Sequence, residues 1–585
     1  MDEFLHSTDG QRSANRLNHL QVAHFTEPLV LERGASLPEF RVAYETYGTL
    51  NAERSNAVLI CHAISGDSHV ASHDADDDPG WWEELVGPGR AVDTNELFVI
   101  CSNVLGGCRG TTGPGDCPPG TSRPYGASFP AITLGDMVDA QARLIDSLGI
   151  ERLAAVMGGS LGGHQTLLWA TRYPDRVATA GVIASSARLT SQALAFDVVA
   201  RNAIRTDPAY AEGQYYEQEE KPEKGLAIAR MLGHITYLSQ QSMAQKFDVD
   251  RHEPREIESD FERQFSVGSY LAMQGHRFVT RFDANSYMTI SMAMDLMDLG
   301  RTHEARVESL RSSTCRWMVV SFSSDWLFPP SQSRELVSAL TSLGKPVSYC
   351  EVESDGGHDG FLLSSEIATF GPLLASRVGL SQPKLAVPRT EDDRILEILP
   401  AGASVLDLGC GDGHLLARLQ ERNHARLCGV EIETDRIVQT AQHDVEVIDC
   451  DLNLGLPEFD DAQFDYVVIS STLQVVPNVR TLLEDSLRVG RRVLLVFANF
   501  AYAPMRRMLA EEGLSPKSPG PYGHDWYDTP NNRFPSILDV RHLCDEMGLS
   551  VEEEHYYAEG QPLMAKQATD PNRNAETALF VLGPR

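Results

Sequence analysis

The sequence is short of basic residues and of long apolar runs. Its 50 lysines and arginines stand against 82 aspartates and glutamates, which gives a net charge of −32. A chain this acidic is a poor partner for the phosphates of nucleic acids or for an anionic membrane. No run approaches the ~18 apolar residues of a membrane span, and Met1–Arg16 has no apolar core typical of a secretory signal. We therefore expect no nucleic-acid partner, no membrane attachment and a cytoplasmic location.

The ten cysteines include no C-x-x-C pair. Several lie in or beside strand-like runs, such as Cys61, Cys315 and Cys350. This distribution predicts reduced, buried thiols rather than a disulfide framework or a zinc site. We expect no metal.

The length of 585 residues exceeds what one hydrophobic core supports, so several domains are expected. Strand and helix patterns alternate from Phe40 to Ser185, which predicts a mostly parallel sheet covered on both faces. Helical periodicity dominates about 189–308, and strand patterns return at Arg316–Phe322 and Val347–Val352. This order favours an α/β-hydrolase fold with a helical lid; a separate helical domain is the alternative. The predicted organisation is a flexible tail (1–20), this domain (21–380), a linker (381–391) and a second domain (392–585).

A serine stands between glycines in the stretch Ala155–His164. The apolar run Leu153–Met157 ends in Gly158-Gly159-Ser160-Leu161-Gly162, and the helix-forming run Gln165–Thr171 follows. Strand, sharp turn and helix are the context of the G-x-S-x-G nucleophile elbow; an ordinary glycine-rich turn is the alternative. The pattern predicts that Ser160 is a nucleophile.

A nucleophilic serine needs a base, and the base needs a carboxylate to orient it. Asp325 follows the first returning strand, and His358 follows the second. The order serine, acid, histidine is that of the α/β-hydrolase fold. We predict Ser160 as nucleophile, His358 as general acid/base and Asp325 as orienting carboxylate.

The developing oxyanion needs two backbone N–H groups. One is predicted from Leu161, directly after the nucleophile. The other is predicted from the loop Ala63–Ser65, and we assign it to Ser65. His62 and His69 in the same loop are expected to be structural.

Four motifs of this region occur together and in register, from about residue 22 to 378: Cys61–His69, Gly158–Gly163, Ser324–Pro330 and Gly357–Asp359. Together they resemble the homoserine O-acyltransferase family of methionine biosynthesis. The resemblance implies that an acyl group moves from acyl-CoA to the serine and then to the hydroxyl of homoserine.

The resemblance also implies a substrate site. Arg230 and Tyr237, in the lid region, match the residues that lie near the substrate carboxylate in that family, and Asp359 matches the acid that binds the ammonium group. A surface helix charge is the alternative for Arg230. We also expect a homodimer.

The acyl donor is predicted from the stretch Trp326–Pro330, which contains no arginine or lysine. Family members that use succinyl-CoA tend to carry an arginine where this chain has Leu327. A buried succinyl carboxylate needs a cation, so we predict acetyl-CoA. Succinyl-CoA, with a cation supplied by the lid, is the alternative.

A second α/β pattern begins after the linker. The strand Ser404–Leu408 enters a glycine-rich turn that opens a helix, and the next strand ends at Glu431. This pattern resembles a class I S-adenosylmethionine methyltransferase, a Rossmann-like fold. The resemblance implies cofactor contacts from Asp407, Gly409, Gly411, Gly413 and Glu431, with adenine near Asp449 and Asp451.

Three further motifs of this half are Thr472–Gln474, Arg488–Arg492 and Trp526–Asn531. They resemble the MetW family over about 392–560. That resemblance implies either support of the acyltransferase or S-adenosylmethionine binding, and a degenerate fold that binds nothing is the alternative.

Three functions are compatible with these patterns. The first is a homoserine O-acetyltransferase fused to a MetW-like domain. The second is a serine esterase fused to an active methyltransferase, and the third is a non-catalytic assembly protein that uses both folds for interaction.

Overall fold

The structure of the chain is a computed structural model that describes residues 17–248, 265–378, 390–422, 426–517, 525–564 and 569–584. Most of the predicted N-terminal tail and nearly all of the predicted linker lie outside these residues. The chain divides into two compact units: residues up to 339 with 351–379, and 340–350 with 380–585. None of the described helices combines the length and the apolar character that a membrane span requires.

The first unit is built on a mostly parallel sheet. Along the chain, one helix precedes the strand that leads into the nucleophile elbow and another helix follows it. The strands of the unit are β1 (Gln21–Phe25), β2 (Leu29–Val30), β3 (Ser36–Leu37), β4 (Phe40–Tyr47), β5 (Ala57–Cys61), β6 (Val86–Gly87), β7 (Val92–Asp93), β8 (Phe98–Ser102), β9 (Leu153–Gly159), β10 (Val177–Ile183) and β11 (Arg316–Phe322). The next strand in sequence, β12 (Val347–Val352), has its first four residues in the second unit and its last two in the first. The helices of the first unit are α1 (Leu134–Ser147), α2 (Leu161–Arg172), α3 (Ser191–Thr206), α4 (Glu223–Tyr237), α5 (Gln240–Phe247), α6 (Ser266–Val279), α7 (Ala284–Asp295), α8 (His303–Leu310), α9 (Pro330–Ser342) and α10 (Ser364–Val378).

The strand order of this sheet is β1-β4-β8-β5-β9-β10-β11. The strands from β8 to β11 are parallel, whereas β4 is antiparallel to both of its neighbours. The central strand β9 is flanked by β5 and β10, with Gly158 opposite both Cys61 and Val182. Parallel strands end at one edge of a sheet, so the loops after β5, β9 and β11 meet there.

The helix after the elbow begins at Leu161, directly behind Ser160, although Gly162 and Gly163 in its first turn are weak helix formers. Strand Leu29–Val30 pairs with Ser36–Leu37 in a small hairpin. A capping box between Thr133 and Asp136 fixes the start of α1.

The second unit contains the strands and helices that follow in the sequence. Its strands are β13 (Ser404–Leu408), β14 (Arg426–Glu431), β15 (Glu446–Asp449), β16 (Phe464–Ser470), β17 (Gly490–Ala498), β18 (Leu549–Ala558), β19 (Gln561–Pro562) and β20 (Thr577–Pro584). Its helices are α11 (Thr390–Ile398), α12 (His414–Gln420), α13 (Thr434–Gln442), α14 (Val479–Val489), α15 (Ala503–Arg507), α16 (Ile537–Met547) and α17 (Pro571–Asn574).

The strand order in this unit is β15-β14-β13-β16-β17-β20-β18-β19. The first five strands are parallel, and β20 runs antiparallel to β17 and β18. The order changes direction at β13, which is where open α/β sheets bind ligands. This topology agrees with the methyltransferase-like fold predicted from the glycine-rich turn after β13.

Candidate active site

The turn between β9 and α2 holds Ser160 in a conformation that L-residues rarely adopt, with φ 58° and ψ −122°. The surroundings fix it there: its N–H donates to Ile183 O (3.0 Å), and its carbonyl accepts from Gly163 N (2.9 Å). A Cβ on Gly158 or Gly162 would collide with the carbonyl oxygen of Cys61, so only glycine fits on either side. Strain of this kind in a non-glycine residue is stored where function uses it.

His358 and Asp325 form a buried pair on neighbouring loops. His358 Nδ1 donates to Asp325 Oδ2 at 2.8 Å, which sets the tautomer because a carboxylate only accepts. The other oxygen of Asp325 accepts from the backbone N–H groups of Leu327 and Phe328, both at 2.9 Å. These bonds aim the carboxylate at the histidine.

The second ring nitrogen of His358, Nε2, is buried and has no hydrogen-bond partner among the residues that the structure describes. Burial lowers the pKa of His358, but the charge of Asp325 outweighs it, so the pKa lies above its ordinary value. A neutral His358 therefore presents a lone pair at Nε2. Such a nitrogen can take a proton from a hydroxyl group.

Phe361 joins the histidine loop to the elbow. Its ring centroid lies 5.8 Å from that of His358, and a Cβ on Gly159 would lie 2.5 Å from the same ring. The structure thus brings His358 and Asp325 to the edge of the sheet where Ser160 stands. Phe328, 5.2 Å from His358 between ring centroids, adds an apolar wall.

The lid helix α4 reaches the same site. The Tyr237 ring lies 5.8 Å from the His358 ring, and the Arg230 guanidinium lies 5.8 Å from the Tyr237 ring. Burial raises the pKa of Asp359 above its usual value, and the positive charges of His358 and Arg230 oppose that rise. The structure therefore gathers the three predicted substrate-binding residues around the histidine.

The predicted oxyanion residues lie in different surroundings. Leu161 is fully buried at the start of α2, while Ser65 is half-buried in the loop after β5. His62 is structural as expected, since its Nδ1 donates to Ala63 O (2.7 Å) and its Nε2 accepts from Val104 N (3.1 Å).

Arg281 is a residue of this site that the sequence analysis missed. Its Nη1 donates to Ser65 O at 2.9 Å, and its guanidinium shares the Phe278 ring with Arg230, at 5.4 Å and 4.9 Å from the centroid. It follows α6, more than 200 residues after Ser65 in the chain. No local pattern distinguishes it from other lid arginines, so only the folded lid reveals it.

The glycine-rich turn of the second unit has a different construction. Gly409, Gly411 and Gly413 all have positive φ, at 71°, 60° and 76°. Glu431, at the end of β14, closes the turn: its Oε2 accepts from Gly411 N (2.9 Å), and its Oε1 accepts from Ile432 N (2.8 Å). The carboxylate predicted to hold a ribose is thus anchored beside the turn by backbone N–H groups.

The acidic residues around this turn divide into two groups. Asp407 and Asp449 are buried at the ends of parallel strands. Asp451 instead accepts from Asn453 N at 2.9 Å and begins the short 3₁₀ turn Leu452–Leu454. An adenine contact from Asp451 would have to coexist with this capping bond.

Sheet order and elbow together define the class of the first unit, which is an α/β hydrolase. Two family models match the chain: the alpha/beta hydrolase fold over residues 56–365 and the methionine biosynthesis protein MetW over residues 389–582. The bifunctional methionine biosynthesis protein MetXA/MetW of Rhodopirellula baltica is 54% identical over 99% of this chain and 95% of its own length. The chain belongs to this bifunctional MetXA/MetW family.

Relatives of the first unit alone fall into two types. A homoserine O-succinyltransferase of Alkalilimnicola ehrlichii is 52% identical over 58% of this chain and 89% of its own. A homoserine O-acetyltransferase of Rhodopseudomonas palustris is 51% identical over 59% and 87%. The crystal structure of homoserine O-acetyltransferase from Bacillus anthracis matches with a TM-score of 0.56 and 30% identity, over 62% of this chain and 98% of that one. The predicted combination of a homoserine acyltransferase domain with a MetW domain is confirmed.

Proposed function

We propose that the chain is a homoserine O-acetyltransferase of methionine biosynthesis, with residues 21–380 as the acyltransferase domain and 392–585 as a MetW-like domain. The observation that carries the proposal is the buried His358–Asp325 pair with its Nε2 unpartnered among the described residues, together with the Phe361 ring, which links His358 to the strained elbow of Ser160. The names of the relatives supply the substrate class.

The first half-reaction transfers the acyl group to the enzyme. Ser160 Oγ attacks the thioester carbonyl of acetyl-CoA while His358 Nε2 takes its proton. The backbone N–H groups assigned to Leu161 and Ser65 stabilise the oxyanion. The C–S bond then breaks, and His358 returns the proton to the sulfur of coenzyme A.

The second half-reaction uses homoserine as the acceptor. Arg230 and Tyr237 hold its carboxylate, because a guanidinium matches a carboxylate in two hydrogen bonds. Asp359 holds its ammonium group, whose charge favours the ionised carboxylate. His358 removes the proton of the homoserine hydroxyl, whose oxygen attacks the acyl-serine ester. The bond between the acyl carbon and Ser160 Oγ then breaks, and His358 returns the proton to Ser160 Oγ.

The acyl donor follows from the charge near the triad. Leu327 stands where a succinyl-specific enzyme of this family tends to carry an arginine, and this favours acetyl-CoA. Succinyl-CoA is the second candidate, because Arg281 places a cation from the lid on the Ser65 carbonyl. That cation could pair with a succinyl carboxylate.

The test is release of free coenzyme A from acetyl-CoA and succinyl-CoA, measured side by side with and without homoserine. Homoserine-dependent release and a higher kcat/KM for acetyl-CoA support the proposal. Release that does not depend on homoserine indicates an esterase. A higher kcat/KM for succinyl-CoA than for acetyl-CoA indicates that succinyl-CoA is the acyl donor. Leu327→Arg is expected to shift the donor ratio toward succinyl-CoA, and Arg281→Gln to shift it toward acetyl-CoA.

The MetW-like domain is proposed to bind S-adenosylmethionine at the turn Gly409–Gly413 and to support the acyltransferase. The anchored carboxylate of Glu431 and the change of strand direction at β13 support this. The homodimer and the cytoplasmic location stay predictions.

A further inference from the structure

Two histidines and a glutamate of the first unit converge outside the site described above. Glu45 lies on β4, and His69 and His73 lie in the loop after β5. One oxygen or nitrogen atom from each lies within 4.8 Å of the others, and among the residues that the structure describes this is the one such group of three. We call it the His–Glu cluster.

The hydrogen bonds of His69 leave its Nδ1 atom available to a cation. His69 Nε2 donates to Asp78 O at 2.6 Å, and a carbonyl only accepts, so Nε2 carries the hydrogen. His69 Nδ1 lies 3.0 Å from Glu45 Oε2. In a neutral ring, His69 Nδ1 therefore carries a lone pair that faces the carboxylate of Glu45. The two atoms can be this close only if a positive charge binds to both.

The same carboxylate oxygen receives a second imidazole. His73 Nε2 is also 3.0 Å from Glu45 Oε2, while Ser68 Oγ donates to the other oxygen at 3.1 Å. The Glu45 side chain is 0% exposed and that of His69 is 3% exposed. A carboxylate buried this deeply is costly without a compensating positive charge.

We propose that the His–Glu cluster binds one divalent transition-metal ion of the zinc type, through Glu45 Oε2, His69 Nδ1 and His73 Nε2. Two imidazoles and one carboxylate form a common ligand set for zinc. Ligand atoms of a tetrahedral site with bonds of about 2 Å lie roughly 3.3 Å apart, close to the two distances of 3.0 Å.

The surroundings resemble the outer shell of a metal site. A metal-binding histidine usually donates its other N–H to a carbonyl or carboxylate, which fixes the ring; His69 does so to Asp78. The Tyr47 hydroxyl donates to Glu45 Oε2 at 3.0 Å and orients the carboxylate. The His73 side chain is 15% exposed, which gives an ion a path from solvent.

The role of the ion would be to brace the loop that carries Ser65. The cluster ties β4 to this loop four residues beyond Ser65, the residue proposed to complete the oxyanion hole. The ion would act as a positioning element, because its ligands do not touch the proposed nucleophile. The inference does not depend on the acyl donor or on the function of the second unit.

A proton is the competing occupant. Burial lowers the pKa of His69, but the bond to Glu45 outweighs it and raises the pKa to about 9. An imidazolium ring could therefore satisfy Glu45 without metal. The two occupants differ in a measurable way, since only a metal site retains and discriminates ions.

The test uses the full chain, purified without a metal-affinity tag. We expect elemental analysis to find about one zinc per chain, and chelator treatment to lower the melting temperature. Added ZnCl₂ should restore it. CoCl₂ should give the visible absorption of tetrahedral cobalt. His73→Gln should weaken zinc binding by more than roughly 100-fold, since a lost ligand costs more than the 10–100-fold of an outer-shell partner.

His19→Gln is the matched control, because the His19 ring stacks on His73 with centroids 4.0 Å apart but supplies no ligand. It should keep full zinc affinity. A wild-type chain that retains no metal and gains no stability from ZnCl₂ or CoCl₂ overturns the proposal and assigns the cluster to a proton. Equal zinc affinity in His73→Gln overturns it as well. The acyl-transfer assay is a separate readout, so its failure would leave these outcomes unaffected.

Discussion

Each unit of the chain has one junction in which a parallel strand runs through a glycine-rich turn into a helix, and the two junctions differ in what occupies the strained position. After β9 the residue with positive φ is Ser160, which carries a side chain. After β13 the positions with positive φ are Gly409, Gly411 and Gly413. A strained side chain offers a reactive atom, whereas strained glycines offer only backbone N–H groups to a ligand.

The polar groups beside the two junctions differ in the same way. His358 keeps a buried nitrogen without a partner among the described residues. Glu431 has both oxygens bonded to backbone N–H groups. The first junction therefore has a nitrogen that can exchange a proton with a substrate. The second has a carboxylate that is already fixed by hydrogen bonds and can hold a ligand in place. The comparison leads us to expect acyl transfer at the first junction and ligand binding at the second, and the predictions below test this expectation.

The largest effect is expected at Ser160. Ser160→Ala should reduce homoserine-dependent release of coenzyme A by at least about 10⁴-fold, because the nucleophile is gone. Ser160→Gly should be equally inactive but more stable than Ser160→Ala by about 1 kcal/mol, since glycine relieves the positive φ. Kinetics and thermal unfolding measure the two effects. Turnover near that of the wild type would contradict the assignment of Ser160.

The next effect concerns Asp325. Asp325→Asn should reduce kcat by about 10⁴-fold, because the orienting carboxylate is lost. Asp325 holds the pKa of His358 up against burial, so its removal should lower that pKa. Activity needs neutral His358 and falls as pH drops through its pKa; the acidic limb of the pH–rate profile should therefore move to lower pH.

Asp355→Asn is the matched control for this variant. It removes one carboxylate from an exposed position three residues before His358, where Oδ2 accepts from Gln245. Its pH–rate profile should keep its acidic limb in place. A shift of equal size in both variants would show that general charge, rather than the bond to His358, sets the pKa.

The sequence predicts the parts of the first junction that depend on local pattern. Strands Arg316–Phe322 and Val347–Val352 have the predicted limits, because runs of β-branched and aromatic residues mark them. The order of Ser160, Asp325 and His358 follows from the strands that precede them. Their catalytic roles stay predictions, although the structure places Asp325 on His358.

Features that depend on distant pairs could not be predicted. Arg281 reaches Ser65 only because the lid folds back over the sheet edge. Glu45 meets His69, 24 positions later in the sequence, only because β4 and the loop after β5 converge. No periodicity or spacing records such contacts, since tertiary packing alone creates them.

A smaller effect is expected at Arg230. Arg230→Gln should raise KM for homoserine by about 10- to 100-fold, the range of 1.5–3 kcal/mol for a hydrogen bond to a charged group. Acylation of Ser160 by acetyl-CoA alone should stay unchanged, as a single-turnover burst of coenzyme A would show. Arg277→Gln removes the same charge from an exposed position on α6. It should change neither the KM for homoserine nor the burst of coenzyme A. Loss of the burst in Arg230→Gln would instead make Arg230 a donor-side residue.

The smallest effect on acyl transfer is expected from the second junction. Gly411→Ala should cost about 1 kcal/mol of stability, because φ is 60°. An added Cβ would meet no clash, since Arg436 Nη1 would lie 3.8 Å from it. The added methyl group would occupy the space into which a bound nucleotide approaches the backbone, so S-adenosylmethionine affinity should fall at least tenfold by calorimetry. Gly402→Ala, at φ 81° with open space around it, should cost similar stability and leave that affinity unchanged. Both variants should release coenzyme A at the wild-type rate; if Gly411→Ala slows acyl transfer and Gly402→Ala does not, the second junction takes part in the chemistry of the first.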